Sequence, residues 1–258
     1  AAMAVQLVHE FSLLHDDIID GDRTRRHRPA VWAAFGTSAG VLCGDALLSV
    51  AHATLAAAPT GEGASLALAE TAVELIEGEA LDVVFERREV VRPSEYVAMA
   101  SAKTGALMDC ACRLGALAGA AAPQQAKTLG GFGRHLGIAF QIADDLLGLY
   151  GDEAVTGKPV GSDLAARKKT LPVLAALASP SPAGKELAHL YAREDALTAE
   201  EADRAVRLVE EAGGAAAARR EAERELLQAQ AALADAAPTV EGRRQLMALA
   251  HLLTHRES

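Results

Sequence analysis

Aromatic side chains are nearly missing from this chain, with five Phe, three Tyr and one Trp in 258 residues. Sheets draw on aromatic and β-branched residues, so the shortage argues against a sheet fold. Cysteines number only three, Cys43, Cys110 and Cys112. Their odd count and spacing fit neither a disulfide framework nor a zinc site, which leaves small buried hydrophobes in a reducing compartment. Positive charge is also scarce: 25 Lys and Arg face 35 Asp and Glu, a net charge of −10. That balance excludes a general nucleic-acid binder and a broadly basic membrane-docking face. No apolar run approaches the ~20 residues of a membrane span, and no signal-peptide pattern is visible. The expectation is a cytoplasmic protein without integral membrane association.

What fills the chain is alanine and leucine, near the top of the helix propensity scale. Half of the residues are apolar, enough for a sizeable core. Helices are expected near 2–20, 38–57, 62–86, 93–121, 123–150, 170–178, 182–193, 198–212, 214–235 and 239–255. Ser94 and Thr198, each followed by acids, read as N-caps, and Gly213-Gly214 reads as a helix stop. Nothing reads as a run of alternating strands, and no linker splits the chain. The expected fold is one all-α domain, 1–258. Its first segment, AAMAVQLVHEFSLLHDDII, is apolar on most sides and must be buried by neighbours. The expectation is therefore that N-terminal helices of the domain are absent from this chain. Residues 151–163 form a polar, Gly-rich stretch longer than a helix connection needs, a pattern often tied to function.

The chemistry starts at HDDIIDGDRTRRHRP, residues 15–29. At the end of a helix, Asp16 and Asp20 stack as i and i+4 on one face. They repel each other there, and the helix dipole at that end prefers cations. A divalent cation removes both penalties, and Mg²⁺ takes carboxylates, waters and phosphate oxygens. A solvated acidic helix end is the plain alternative, but the apolar flanks turn these acids toward an interior. FQIADDLLGLYGD places Gln141, Asp144 and Asp145 on one face of a second apolar helix. Buried charges need partners or metals. Two such helices face to face make an acidic pocket for several Mg²⁺ ions, with Arg25, Arg26, Lys103, Lys158, Lys168 and Lys169 as phosphate donors. The spacing thus predicts a diphosphate held by Mg²⁺ on one side and by Arg and Lys on the other.

These motifs resemble the trans-polyprenyl diphosphate synthases of the type I isoprenoid synthase fold. HDDIIDGDRTRRHRP looks like that family's first aspartate-rich motif with its arginine pair. GDALLSVA (44–51), EGEALD (77–82), KTGAL (103–107), FQIADDLLGLYGD (140–152), TGKPVGSDL (156–164) and RKKTLP (167–172) resemble its later motifs, in the family's order. The resemblance implies a helical bundle with a central cavity. It implies head-to-tail condensation of isopentenyl diphosphate with an allylic diphosphate: dimethylallyl, geranyl or farnesyl. Asp16, Asp20 and Asp144 would coordinate Mg²⁺, three ions with substrate bound, and Asp17 and Asp145 belong to the same catalytic motifs. Arg25, Lys103 and Lys158 would hold the allylic diphosphate and Arg26 the isopentenyl one. Thr104 and Gln141 would present oxygens to the allylic cation, with Lys168 and Lys169 closing the loop. A homodimer packed through helices is implied as well.

Three departures from the family pattern stand out. Gly148 replaces the usual third Asp of the second motif, and Glu79 stands where the family often has Gln. The upstream Gly-Lys-Arg segment that binds isopentenyl diphosphate has no match. Product length points to Phe11, five residues before Asp16, as the bulky block below the first motif, with Val50 or His52 of another helix as the alternative floor. Ser12 beside Phe11 is small, a pattern most like that of geranylgeranyl diphosphate synthases. Two alternatives stay open: a terpene cyclase-like enzyme that ionises a prenyl diphosphate, and a non-catalytic subunit of a prenyltransferase heteromer.

Overall fold

A computed structural model describes residues 1–58, 63–150, 164, 167–193 and 197–254. The chain begins with α1 (Ala2–Ile19), which ends at Asp20. A two-stranded hairpin follows, β1 (Thr24–Arg25) against β2 (Arg28–Pro29), with Arg25 opposite Arg28. The all-α expectation held no such strands. The turn residues Arg26 and His27 both have positive φ, 50° and 62°. Two-residue hairpin loops demand that geometry and normally use Asn or Gly for it, so the sequence carried no turn signal. A short helix, α2 (Val31–Phe35), also escaped the sequence reading.

The long helices follow: α3 (Thr37–Ala56), α4 (Ala64–Arg87), α5 (Pro93–Ala100), α6 (Ala106–Ala118) and α7 (Pro123–Tyr150). Beyond residues 151–163 come α8 (Leu171–Leu177), α9 (Pro182–Tyr191), α10 (Ala199–Glu211), α11 (Gly214–Asp235) and α12 (Val240–Thr254). The span expected as one helix over 93–121 is two, joined by a wider π-helical turn, Ser101–Gly105. Such single π turns concentrate at functional sites. Thr198 caps α10 as expected: its Oγ1 accepts from the Glu201 N–H, and its own N–H donates to Glu201. Ser94 does not cap α5. Arg92 holds that position, because Pro93 suits the first helical residue and Glu95 reaches back to the Arg92 N–H at 3.0 Å. Gly213 is left-handed, φ 80°, and ends α10 as the sequence indicated.

α7 is the axis of the fold. One apolar cluster joins α1, α3, α4 and α6 through Val8, Phe11, Leu55, Leu68 and Leu107. A second joins α4, α5, α7, α8 and α11. Two more pack the far ends of α7 against α8 to α10 and against α11 and α12. Glycine lets backbones touch where α6 and the π turn meet α7. A Cβ on Gly137 would lie 2.7 Å from Gly105 Cα, so any side chain there would push the π turn away.

Two expectations need correction. α3 is long and apolar enough to cross a membrane by length and composition, although no run in the sequence was expected to come close. Its outer face exposes Val41, Leu42 and Val50. Among the cysteines, Cys110 is buried and burial pushes the half-buried Cys112 thiol up to about 12. Cys43 is exposed, because it lies on the outer side of α3.

Candidate active site

α1, α4, α5, α6 and α7 surround a cavity of about 1130 Å³. Its mouth is acidic and basic, and its depth is apolar. Along α1 it is lined by Asp20, Asp16, Leu13, Ser12, His9, Gln6 and Val5. From Asp16 to Val5 the helix rises about 16 Å at ~1.5 Å per residue. Leu75, Leu107, Met108, Ala111 and Phe140 line the deeper part.

The acids gather at the mouth. Asp16, Asp20 and Glu79 each offer a carboxylate oxygen, all within 4.8 Å of one another. Lys103 Nζ sits among Asp82 at 2.7 Å, Glu79 at 2.8 Å and Asp16 at 3.3 Å. Burial works against its charge, but Asp82, Asp16 and Glu79 outweigh that and hold the ammonium well above the usual lysine range. Burial also pushes the Glu79 carboxyl up, against the pull of Lys103. One Glu79 oxygen is buried without a hydrogen-bond partner. Lys168 donates to Asp20 at 2.7 Å and stays charged above its ordinary range, because Asp20 outweighs the cost of burial.

Arg25 Nε donates to Asp17 at 2.7 Å and its Nη2 to Asp16 at 3.1 Å. Asp17 is 2 % exposed, on the inward side of α1. Its carboxylate therefore aims Arg25 rather than facing the cavity. Arg26 lines the mouth beside His27, lifted there by the hairpin turn. Lys169 donates to the Phe85 carbonyl at 2.8 Å and to the Arg88 carbonyl, at the end of α4. It pins 167–170 to that helix end, where cations suit the dipole.

The second motif divides in two. Asp144 is exposed and lines the cavity across from α1. It is not part of the cluster made by Asp16, Asp20 and Glu79. Asp145 is 6 % exposed and accepts from Tyr96 O–H at 2.5 Å, Gln141 Nε2 at 3.2 Å and the Leu171 N–H at 3.3 Å. Thr104 Oγ1 donates to Gln141 Oε1 at 2.8 Å. Gly148 lines the cavity, while Lys158 lies outside the described residues.

Phe11 is not where the sequence put it. It is 4 % exposed, packed in the core with Leu55, Leu68 and Leu107, and meets the His15 ring edge-on at 4.8 Å. A step of one residue turns a helix by ~100°, so Ser12 faces the cavity and Phe11 faces inward. Sequence reasoning also left out Tyr96 and gave Asp82 no role. Glu79 and Asp82, i and i+3 in EGEALD, were the readable signal for a face turned to Lys103.

An all-α bundle around an acidic cavity with a basic rim is the arrangement that the sequence resemblance implied. The polyprenyl synthetase family profile matches residues 1–209. A geranylgeranyl diphosphate synthase of Mycobacterium tuberculosis is 46 % identical over 98 % of this chain and 72 % of its own length. Of the mycobacterial farnesyl diphosphate synthases it also matches, the chain spans 53 %. Among solved structures, a polyprenyl synthetase from Streptomyces coelicolor superposes with a TM-score of 0.89 at 42 % identity, over 97 % of this chain and 76 % of that one. A geranylgeranyl pyrophosphate synthase from Corynebacterium glutamicum, complexed with isoprenyl diphosphate and magnesium, gives 0.88 at 29 % identity, over 98 % and 78 %. The chain belongs to the polyprenyl synthetase family and is a prenyltransferase.

Proposed function

We propose that this chain condenses isopentenyl diphosphate with an allylic diphosphate and makes geranylgeranyl diphosphate. One observation supports this above the rest: carboxylates and cations crowd the mouth of a cavity whose depth is apolar. A diphosphate head fits the mouth and a prenyl tail fits the depth. The all-oxygen donor set of Asp16, Asp20 and Glu79, with Asp144 opposite, suits Mg²⁺. Mg²⁺ held there would supply Lewis-acid neutralisation of the leaving diphosphate. The Corynebacterium enzyme, solved with magnesium and isoprenyl diphosphate, supports that choice of ion.

The chain's own residues do the rest. Arg25, Lys103 and Lys168 exchange their carboxylate partners for phosphate oxygens as substrate enters. Arg26, at the rim, takes the second diphosphate. Thr104 and Gln141 turn oxygens toward the allylic cation. The apolar walls exclude the water that would quench it. The proton lost after carbon–carbon bond formation goes to the departing diphosphate. Farnesyl diphosphate with labelled isopentenyl diphosphate and Mg²⁺ gives a labelled C20 diphosphate. A hydrocarbon with no label would establish a cyclase instead, and no turnover would leave a non-catalytic subunit.

Tail length follows the lining of α1, so Ser12 replaces Phe11 as the ruler. Ser12→Phe shortens the main product to C15. Phe11→Ala costs about 3–5 kcal/mol of stability, as for a buried Phe, with product length unchanged. Chain-length separation and thermal melts of the two variants check both statements.

The exposed apolar face of α3, with Leu66, Val73, Ile76 and Val84 in one stripe of the adjoining α4, suits a second copy. Light scattering then gives twice the 26.8 kDa chain mass, and Leu42→Arg with Ile76→Arg gives the monomer.

A further inference from the structure

A line of hydrogen bonds runs from the core to the place proposed for the allylic cation. It begins at Tyr96 on α5, which is 1 % exposed. Its hydroxyl donates to Asp145 Oδ2 at 2.5 Å, and the Leu171 N–H donates to the same oxygen at 3.3 Å. Asp145 Oδ1 accepts from Gln141 Nε2 at 3.2 Å. Gln141 Oε1 in turn accepts from the Thr104 hydroxyl at 2.8 Å. Gln141 and Thr104 both line the cavity.

The direction of these bonds matters more than their number. A glutamine side chain can be turned over with little change in shape, exchanging its oxygen for its NH₂ group. Thr104 accepts either end, since a hydroxyl both donates and accepts. Asp145 does not: with three donors converging on it, it takes only the NH₂. The oxygen of Gln141 is thereby turned toward Thr104. The Thr104 proton is used on that oxygen, so the lone pairs of Thr104 are left for the cavity. With the amide turned over, the Thr104 O–H and the Gln141 NH₂ would compete to face a positive centre, and repel it.

We propose that Tyr96 is a positioning residue for the reaction: by anchoring Asp145 it fixes the Gln141 amide, and so presents oxygen rather than hydrogen to the allylic cation. This rests on the reading that Thr104 and Gln141 face that cation. Tyr96 borders the cavity but is 1 % exposed, and its hydroxyl is spent on Asp145, so it acts through that carboxylate.

The test uses two unreactive analogues of farnesyl diphosphate. One carries a protonated nitrogen at the site of the cation. The other is a thiolodiphosphate with no positive charge. Tyr96→Phe keeps the ring in its pocket and removes only the hydroxyl. It weakens the ammonium analogue about tenfold, the scale of one misplaced hydrogen-bonding group, and leaves the thiolodiphosphate within about twofold. kcat falls by a similar factor while KM for both substrates holds. Asp145→Asn, of equal volume, shows the same selective loss, so the test survives if one variant folds poorly. Equal weakening of both analogues, or no weakening of either, overturns the proposal. Thr104→Val separates the two layers. If it loses the ammonium analogue while Tyr96→Phe keeps it, the positioning role fails and the site reading stands. If Thr104→Val keeps it too, the site reading itself fails.

Discussion

Asp16→Ala lowers Mg²⁺-dependent kcat/KM by roughly 10³-fold without unfolding the protein. The size follows from the charge that must be neutralised as diphosphate leaves. That neutralisation is worth several kcal/mol, and about 1.4 kcal/mol is a factor of ten. Asp16 is central to it. Its carboxylate belongs to the cluster with Asp20 and Glu79 and also meets Lys103 and Arg25. The fold does not need it. Arg25 keeps Asp17, and Lys103 keeps Glu79 and Asp82. An acid removed from the last turn of α1 also relieves repulsion from Asp20 and from the helix dipole. The melting temperature therefore stays within a few degrees of the parent while turnover collapses. Steady-state kinetics beside a thermal melt check this. A large drop in both would show that Asp16 holds the fold, and little loss of turnover would remove it from the metal site.

Gly78→Ala is expected to damage stability and activity together. A Cβ on Gly78 would fall 2.2 Å from the Lys103 nitrogen, 2.6 Å from its Cα and 2.8 Å from the Ala102 carbonyl carbon. All three are backbone atoms of the π turn, so no side chain can swing aside. α4 and the π turn must separate. Overpacking of this kind costs about 1–3 kcal/mol. For a chain of this size that lowers the melting temperature by roughly 2–12 °C. The same shift draws Glu79 and Asp82 away from Lys103 and moves Thr104 off the cavity wall. A misplacement of about 1 Å costs near 10²-fold in rate. A melt and a kcat measurement test the pair of effects. An unaltered kcat with a lowered melt would show that the π turn does not position the reacting groups.

The helices were legible because Ala and Leu run between Gly, Pro and Asp breaks. The ten expected helices match observed ones to within a few residues, apart from the division at Ser101–Gly105. That division was hidden because KTGAL has the composition of a helix; what packs against the π turn is glycine on other helices, Gly78 and Gly137, far away in sequence. The hairpin was hidden because Arg26 and His27 take the positive φ that Asn and Gly would have signalled. Among the site residues, spacing correctly stacked Asp16 over Asp20 and set Gln141 beside Asp145. It could not separate Asp144, exposed in the cavity, from Asp145, which also borders the cavity but is buried against Tyr96 and Leu171, because adjacent residues on a helix differ only in the face they find. Nor could it tell, for the same reason, that Ser12 lines the cavity while Phe11 packs in the core. The net charge of −10 concealed a local truth as well: the cations at the mouth are few, and three of them, Arg25, Lys103 and Lys168, are placed against acids.

The central claim is that one cavity binds metal at its mouth and a prenyl tail in its depth. The most direct measurement is a crystal structure with Mn²⁺ and the thiolodiphosphate analogue of farnesyl diphosphate, with the metal located by its anomalous scattering. The account predicts metal bound by Asp16 and Asp20 on one side and Asp144 on the other, diphosphate on Arg25 and Lys103, and the tail running past Ser12 toward Val5. Metal bound elsewhere, or a tail lying outside the wall formed by Leu107 and Met108, would contradict it.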